Sequence, residues 1–173
     1  MNFTQNDIES VKNLDVCEYK KIQSIAKNVL DEIKNFIKPE ISEKEIVEKC
    51  KFLLKKNGIG KTWYYDCPAL VLLGSRSCLS GSGKNYVPSE EMVGNENLVT
   101  IDLSPLKDGV WGDCSRSFVV EDGIVKSEGG IKNFEFLEGL RIERELHEHF
   151  MEFVKPGLSF EDVYIEMNEK IKS

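Results

Sequence analysis

Residues 98–120 read LVTIDLSPLKDGVWGDCSRSFVV, and this stretch decides the fold because it predicts two adjacent antiparallel strands. Successive side chains in residues 98–103 point to opposite faces, so Asp102 shares its face with every second neighbour. Asp113 lies on the corresponding face of the return strand. The segment Pro-Leu-Lys-Asp-Gly at 105–109 is rich in strand breakers and predicts the turn between the two strands.

The two aspartates predict half of a carboxylate metal site. A turn centred on Lys107 and Asp108 would place Asp102 directly opposite Asp113. Opposed side chains have Cβ atoms about 4.5–5.5 Å apart, and like charges repel there unless a proton or a divalent cation lies between them. Asp102 also lies inside an apolar strand, where Asp is uncommon. The alternative is that both are solvated residues near a hairpin turn.

The residues around both aspartates resemble a known family. Asp-Leu-Ser at 102–104 and Lys-Asp-Gly-Val-Trp-Gly-Asp-Cys-Ser-Arg-Ser-Phe at 107–118 resemble the segment with the first two metal ligands of the methionine aminopeptidase, prolidase and aminopeptidase P superfamily. This resemblance implies the pita-bread fold, a peptide substrate or ligand, and a dinuclear centre of divalent Mn, Co, Zn or Fe. It places two of the metal ligands at Asp102 and Asp113, and it does not identify the subfamily.

Segments with apolar side chains at helical spacing lie on both sides of the strand region. This spacing is that of amphipathic helices. It predicts helices over 16–37 and 131–154, each ended by a Lys-Pro pair. Ser42 and Ser159 each begin a further helix, because an acidic residue three positions later completes a capping box. Asn57-Gly58 ends the first of these two helices.

An internal repeat relates two of these junctions. Residues 35–56, NFIKPEISEKEIVEKCKFLLKK, align without gaps on residues 152–173, EFVKPGLSFEDVYIEMNEKIKS. Chance similarity between two helix–proline–capping junctions is the alternative. The pita-bread fold has two halves related by pseudo-twofold symmetry, so the resemblance implies one half plus the first two helices of the next. We expect an α+β, incomplete pita-bread domain over residues 1–173, truncated before the second set of strands, with an antiparallel sheet and helices on one face.

Three further ligands of the family, a His and two Glu, have no counterpart in the sequence. His147 and His149 are two residues apart on one helix and point in different directions, so we interpret them as solvated residues. We therefore expect the chain alone to be inactive, with metal bound weakly or not at all. The loop before the strands lacks the substrate-contacting His of many relatives. Asn85 and Tyr86 are the candidates for contact with a peptide, and a solvated loop is the alternative.

Two functions are compatible with these features. One is a metallopeptidase of the aminopeptidase or Xaa-Pro peptidase type that works when the missing half is supplied, and the retained Asp pair favours it. The other is a non-catalytic module of the same fold that binds peptides or proteins, and the missing ligands favour it. A sheet left open on one side is a liability that a second copy could cover, so we expect a homodimer with a twofold interface near that side.

Composition limits the other possibilities. The chain has 173 residues, of which 40% are apolar, enough for the core of one domain. Its net charge is −7 and no basic cluster is present, which argues against nucleic acid or an anionic membrane as partner. The apolar runs are too short to cross a bilayer, and the first residues lack the apolar core of a signal peptide. Five cysteines without a C-x-x-C pair indicate a reduced, cytoplasmic protein.

Overall fold

A computed structural model describes residues 16–79 and 81–172, which fall into two compact units divided between Lys126 and Ser127. In the first unit the elements are α1 (Val16–Ile33), α2 (Glu43–Lys56), β1 (Lys61–Thr62), β2 (Ala69–Leu73), β3 (Asn97–Leu103), β4 (Pro105–Lys107), β5 (Val110–Trp111), β6 (Cys114–Glu121) and β7 (Ile124–Val125). The second unit contains α3 (Phe134–Phe153) and α4 (Phe160–Lys172). None of the described helices is long and apolar enough to cross a membrane. The segment 1–15, where no signal peptide is expected, lies outside the described residues.

The strands form two antiparallel sheets, which confirms the predicted α+β class. One sheet has the order β2-β3-β6-β7 and the other the order β1-β4-β5. Helices α1 and α2 bury their apolar faces against one face of the four-stranded sheet. The side chains of this core include Ile22, Ala26, Val29, Ile33, Ile46, Cys50, Leu53, Val71, Val99, Ile101, Leu103 and Phe118. The opposite face of the sheet carries Asp102.

Two predicted helix ends are wrong by a few residues. Helix α1 ends at Ile33 rather than at Ile37, and the chain continues as a turn in which the Phe36 N–H donates to the Ile33 carbonyl at 2.8 Å. Ile37 is nevertheless buried, so its apolar spacing continues the pattern beyond the helix. Helix α3 begins at Phe134 instead of at Ile131, with Asn133 as its N-cap.

Both predicted capping boxes are present with the same geometry. The Ser42 hydroxyl accepts from the Glu45 N–H at 3.2 Å, and the Glu45 carboxylate accepts from the Ser42 N–H at 2.8 Å. At the second junction the corresponding distances between Ser159 and Asp162 are 3.1 and 2.8 Å. The aligned segments therefore start their helices alike, whereas a common origin of the two segments stays a prediction.

A buried carboxylate connects helix α2 to the loop that precedes β3. Glu43, the first residue of α2, is completely buried, and both its carboxylate oxygens accept from Nη1 of Arg76 at 2.8 Å. Its Oε1 also accepts from the Ser89 N–H at 2.9 Å and lies 3.2 Å from the hydroxyl oxygen of Tyr86. The helix N-terminus favours the negative charge as well. Glu43 thus holds the loop around Tyr86 against the helix.

We expect Glu43→Ala to be strongly destabilising. The substitution leaves Arg76 without its partner and the loop amide of Ser89 without an acceptor, and breaking such a buried pair costs roughly 3–5 kcal/mol. Urea unfolding measures this change in the free energy of unfolding. The matched control is Glu48→Ala on the same helix, whose exposed pair with Lys51 at 2.7 Å contributes less than about 1 kcal/mol. Equal losses in the two variants would contradict the role of Glu43.

Candidate metal centre

The two aspartates lie where one hairpin divides between two sheets. Strands β3 and β6 pair in the four-stranded sheet, and the same two segments continue as β4 and β5 in the three-stranded sheet. The hairpin closes through Asp108 and Gly109, whose φ angles of 52° and 81° are those of a type I′ turn. Asp-Gly is a preferred sequence for this turn. Asp102 is near the end of β3, and Asp113 immediately precedes β6.

The predicted register of this hairpin is wrong by two residues. Asp102 lies opposite Ser115 rather than opposite Asp113, because the turn is centred one residue later than predicted. Residues 105–107, interpreted from the sequence as part of the turn, form strand β4. A shift of two residues keeps every side chain on its face. Asp113 is therefore the diagonal neighbour of Asp102 on the face that α1 and α2 leave uncovered.

Asp102 carries an unsatisfied buried oxygen. The residue is half-buried, with Leu70 of β2 on one side and Ser115 of β6 on the other. Its Oδ1 is fully buried and accepts no hydrogen bond from any described residue. Burial, and then the nearby carboxylate of Asp113, raise the pKa of Asp102 to about 6. A buried carboxylate oxygen without a donor, beside a second carboxylate, fits a divalent cation that prefers oxygen ligands.

The Asp113 side chain is exposed, but its backbone is held firmly. The Gln23 carboxamide of α1 accepts from the Asp113 N–H at 3.1 Å and donates to the Asp113 carbonyl at 2.5 Å. The indole N–H of Trp63 donates to the preceding carbonyl, that of Gly112, at 2.8 Å. Gln23 was not predicted as part of the site, because its sequence signal is no more than a polar residue on the border of the apolar stripe formed by Ile22 and Ala26.

A third ligand is not assembled within residues 16–79 and 81–172, where no group of three or more His, Cys, Asp or Glu side chains could hold a metal.

His147 is exposed, as predicted. The prediction for His149 is wrong, because this residue is half-buried and its Nε2 lies 2.7 Å from the carboxylate of Glu166. Its ring also stacks on Phe153 with a centroid distance of 6.3 Å. His149 thus joins α3 to α4 within the second unit.

The two substrate-binding candidates differ in their surroundings. Asn85 is exposed at the end of a short 3₁₀ turn. The Tyr86 hydroxyl accepts from the Val71 N–H at 3.1 Å and donates to the Val71 carbonyl at 2.8 Å, so it caps the open edge of β2. Burial raises the pKa of this hydroxyl well above its ordinary value. Tyr86 therefore has a structural role, and contact of either residue with a peptide stays a prediction.

With this geometry in view, comparison with known proteins identifies the family. The profile of metallopeptidase family M24 matches residues 18–173. The chain belongs to this family. A methionine aminopeptidase of Staphylococcus epidermidis is 26% identical over 146 residues, which are 83% of this chain and 53% of that protein. A methionine aminopeptidase of Buchnera aphidicola is 29% identical over 108 residues, or 60% of this chain and 40% of that protein. The chain thus spans about half the length of the curated relatives it matches.

Solved structures of related proteins confirm the pita-bread fold. The Xaa-Pro dipeptidase from Bacillus anthracis superposes with a TM-score of 0.74 at 22% identity, covering 98% of this M24 chain and 44% of that chain. The X-Pro aminopeptidase from Thermotoga maritima gives 0.75 at 17% identity, covering 98% and 45%. Because less than half of either structure is matched, the fold is incomplete in this chain, in agreement with the expectation from the sequence.

The raised pKa of Asp102 predicts a pH-dependent stability. The folded chain binds this proton more tightly than the unfolded chain, whose ordinary pKa is 3.8, so the free energy of unfolding falls as pH rises from about 4 to about 6. Asp102→Asn keeps the shape without the charge. We therefore expect this variant to be more stable than the parent at pH 7.5 and similar to it at pH 4, measured by urea unfolding with EDTA present.

The control for this experiment is Asp108→Asn in the exposed hairpin turn, which leaves Asp102 unchanged and should keep the parent's decline. If Asp102→Asn shows the same decline between pH 4 and pH 7.5 as the parent, another group causes it and the assignment to Asp102 fails.

Proposed function

We propose that Asp102 and Asp113 are two ligands of a divalent metal centre, and that the chain supplies this part of a metal-dependent aminopeptidase or Xaa-Pro peptidase. The unsatisfied Oδ1 of Asp102 beside a second carboxylate, in a chain that belongs to family M24, is the observation that supports the proposal. When bound, Mn, Co, Zn or Fe would supply Lewis acidity and an activated water for attack on a peptide bond. Asp102 and Asp113 would coordinate that ion and neutralise its positive charge.

The substrate in this proposal is a peptide, since the relatives are named for methionine and Xaa-Pro peptidases. We place Asn85 and Tyr86 at its binding surface, Asn85 through an exposed carboxamide and Tyr86 through the part of its ring that is not buried. Two carboxylates are too few for a hydrolytic centre. The proposal therefore requires further ligands from residues beyond the described ones or from a second polypeptide.

A non-catalytic peptide- or protein-binding module is the second candidate. It is favoured by one observation, the failure of the described residues to gather three potential metal ligands. In that case Asp102 and Asp113 would share a proton instead of a metal, which the raised pKa of Asp102 allows near pH 6. The two candidates differ in whether a divalent ion binds at the Asp pair, so metal binding separates them.

We expect the chain alone to bind Mn²⁺ or Co²⁺ weakly, with a dissociation constant on the order of a millimolar, as for sites with few ligands. Calorimetry measures the affinity, and paramagnetic broadening of amide signals by Mn²⁺ gives the location. Broadening should centre on Asp102 and Asp113, disappear in Asp113→Asn and persist in Asp108→Asn. Broadening that is spread over the acidic surface would remove the metal site. A tight isotherm that is lost in Asp102→Asn would instead show that the chain contains further ligands.

We expect no measurable hydrolysis of Met-Ala or Xaa-Pro peptides by the chain alone, because neither a complete metal shell nor a general base accompanies Asp102 and Asp113 among the described residues. The assay requires protein purified free of host peptidases and supplied with Mn²⁺ or Co²⁺. Robust turnover that Asp113→Ala abolishes would contradict this expectation, and turnover that survives in Asp113→Ala would identify a contaminant.

We infer that the chain forms a homodimer. The second unit supports this inference, since neither of its helices has a buried residue and the exposed apolar side chains of the helices and of the segment between them could pack against a second copy. These side chains are Phe134, Ile142, Phe150, Met151, Val154, Leu158, Phe160, Tyr164, Ile165 and Ile171.

Light scattering at micromolar concentration tests the dimer. We expect twice the monomer mass for the parent and a shift to monomer in Phe160→Lys, because Phe160 is 94% exposed within this surface. Phe52→Lys, on the exposed side of α2, is the matched control and should leave the dimer intact. A monodisperse parent of monomer mass would refute the inference.

We infer a reducing, cytoplasmic location as well. No disulfide joins any of the five cysteines, all of which lie within the described residues, and three of them (Cys50, Cys67 and Cys114) are buried as small apolar residues. Burial raises the pKa of the Cys50 thiol to about 12, so this side chain stays protonated and unreactive.

A further inference from the structure

The backbone N–H and carbonyl of Asp113 point away from the hairpin ladder, because Asp113 occupies a non-hydrogen-bonded position next to the hydrogen bond from the Gly112 N–H to the Pro105 carbonyl at 2.8 Å. The register of β3 with β6 and of β4 with β5 would place Ser104 opposite Asp113. The outward-facing backbone groups of Ser104 have partners outside the hairpin, since its N–H donates to the Pro68 carbonyl at 3.2 Å and its carbonyl accepts from the Trp63 N–H at 3.3 Å. Both backbone groups of Asp113 therefore need partners from elsewhere, since an unpaired peptide group is unfavourable near the core.

The Gln23 side chain provides both partners at once. Its carboxamide carries an acceptor and a donor side by side, as a peptide group does, and contacts the Asp113 N–H at 3.1 Å and the Asp113 carbonyl at 2.5 Å. The residues are 90 positions apart in the chain. Gln23 thus acts as a one-residue substitute for the missing strand, and its two polar atoms are used on the backbone rather than offered to a ligand.

Close packing fixes Gln23 against this backbone. A Cβ atom at position 112 would come within 2.9 Å of Cγ2 of Ile22 and 3.4 Å of Oε1 of Gln23, so only glycine lets α1 approach. Trp63 holds the Gly112 carbonyl from another direction at 2.8 Å. The backbone that carries the Asp113 carboxylate is therefore held by α1 and by the segment before β2.

We infer that Gln23 is a positioning residue for the metal centre, which fixes the Asp113 backbone so that its carboxylate stays beside that of Asp102. This inference rests on the proposed metal-binding function of the Asp pair. The two carboxylates repel each other, and an exposed Asp113 with a free backbone could turn away. Holding the backbone keeps the second ligand in place before an ion arrives, and polar partners of this kind influence metal affinity about 10–100-fold.

Two measurements on the ¹⁵N-labelled full chain test the inference. The variants are Gln23→Met, which keeps the size and loses both hydrogen bonds, and Ser24→Ala, the control on the exposed side of α1. We expect hydrogen exchange of the Asp113 amide to be about tenfold faster in Gln23→Met and within about twofold of the parent in Ser24→Ala. We expect the dissociation constant of Mn²⁺, from localised paramagnetic broadening, to rise about tenfold in Gln23→Met and to stay unchanged in Ser24→Ala.

A purely structural role for Gln23 would lower the free energy of unfolding without changing Mn²⁺ affinity, and that result would overturn the inference. Unchanged exchange of the Asp113 amide in Gln23→Met would overturn it as well. A parent chain without localised broadening at Asp102 and Asp113 would refute the metal-binding function instead. In that case the exchange rates alone decide whether Gln23 holds Asp113.

Discussion

Where the hairpin divides between two sheets, Ser104 and Asp113 lie opposite each other at a non-hydrogen-bonded position, so their backbone groups point outward and need partners outside the hairpin ladder. The backbone groups of Ser104 form hydrogen bonds with the segment before β2, and those of Asp113 form hydrogen bonds with the Gln23 side chain of helix α1. The carboxylates of Asp102 and Asp113 lie next to each other at this border of two sheets. Three features shape this junction between the sheets. They are the tight hairpin of Asp108 and Gly109, the glycine at 112 and the contact of α1 with the strand.

Two neighbouring carboxylates oppose folding unless a proton or a cation neutralises one of them. In the metal-free chain the proton performs this role, because burial and Asp113 raise the pKa of Asp102 to about 6. At higher pH the unsatisfied Oδ1 of Asp102 lowers the free energy of unfolding, and packing elsewhere must offset this loss. Under the proposed metal-binding function, a divalent ion at this site would neutralise the charge and offset this cost. The buried pair of Glu43 and Arg76 shows the opposite solution, in which the protein supplies the counter-charge itself.

Local sequence rules predicted much of this architecture. The alternation of residues 98–103 gave the correct face for Asp102, and the two Ser capping boxes gave the starts of α2 and α4. The register of the hairpin could be predicted only from the correct position of the turn. Asp-Gly at 108–109 was a stronger signal for that position than the preceding Pro105. The apolar spacing through Ile37 extended α1 too far because a turn can bury an apolar side chain as well as a helix does.

Long-range contacts were beyond such rules. Gln23 meets Asp113 across 90 residues, and Tyr86 caps Val71 only because Glu43 holds its loop. No local periodicity encodes these pairs, since each depends on how elements that are distant in sequence pack together. The same applies to His149, whose contact with Glu166 joins two helices and leaves the ring half-buried.

The central claim is that Asp102 and Asp113 together form a cation site. Anomalous diffraction from crystals of the full chain soaked in millimolar to tens of millimolar Mn²⁺ tests it most directly. The account predicts one anomalous peak about 2.0–2.6 Å from carboxylate oxygens of both residues, the range for divalent cations. Crystals with manganese peaks elsewhere, and with the two carboxylates in direct contact through a shared proton, would contradict it.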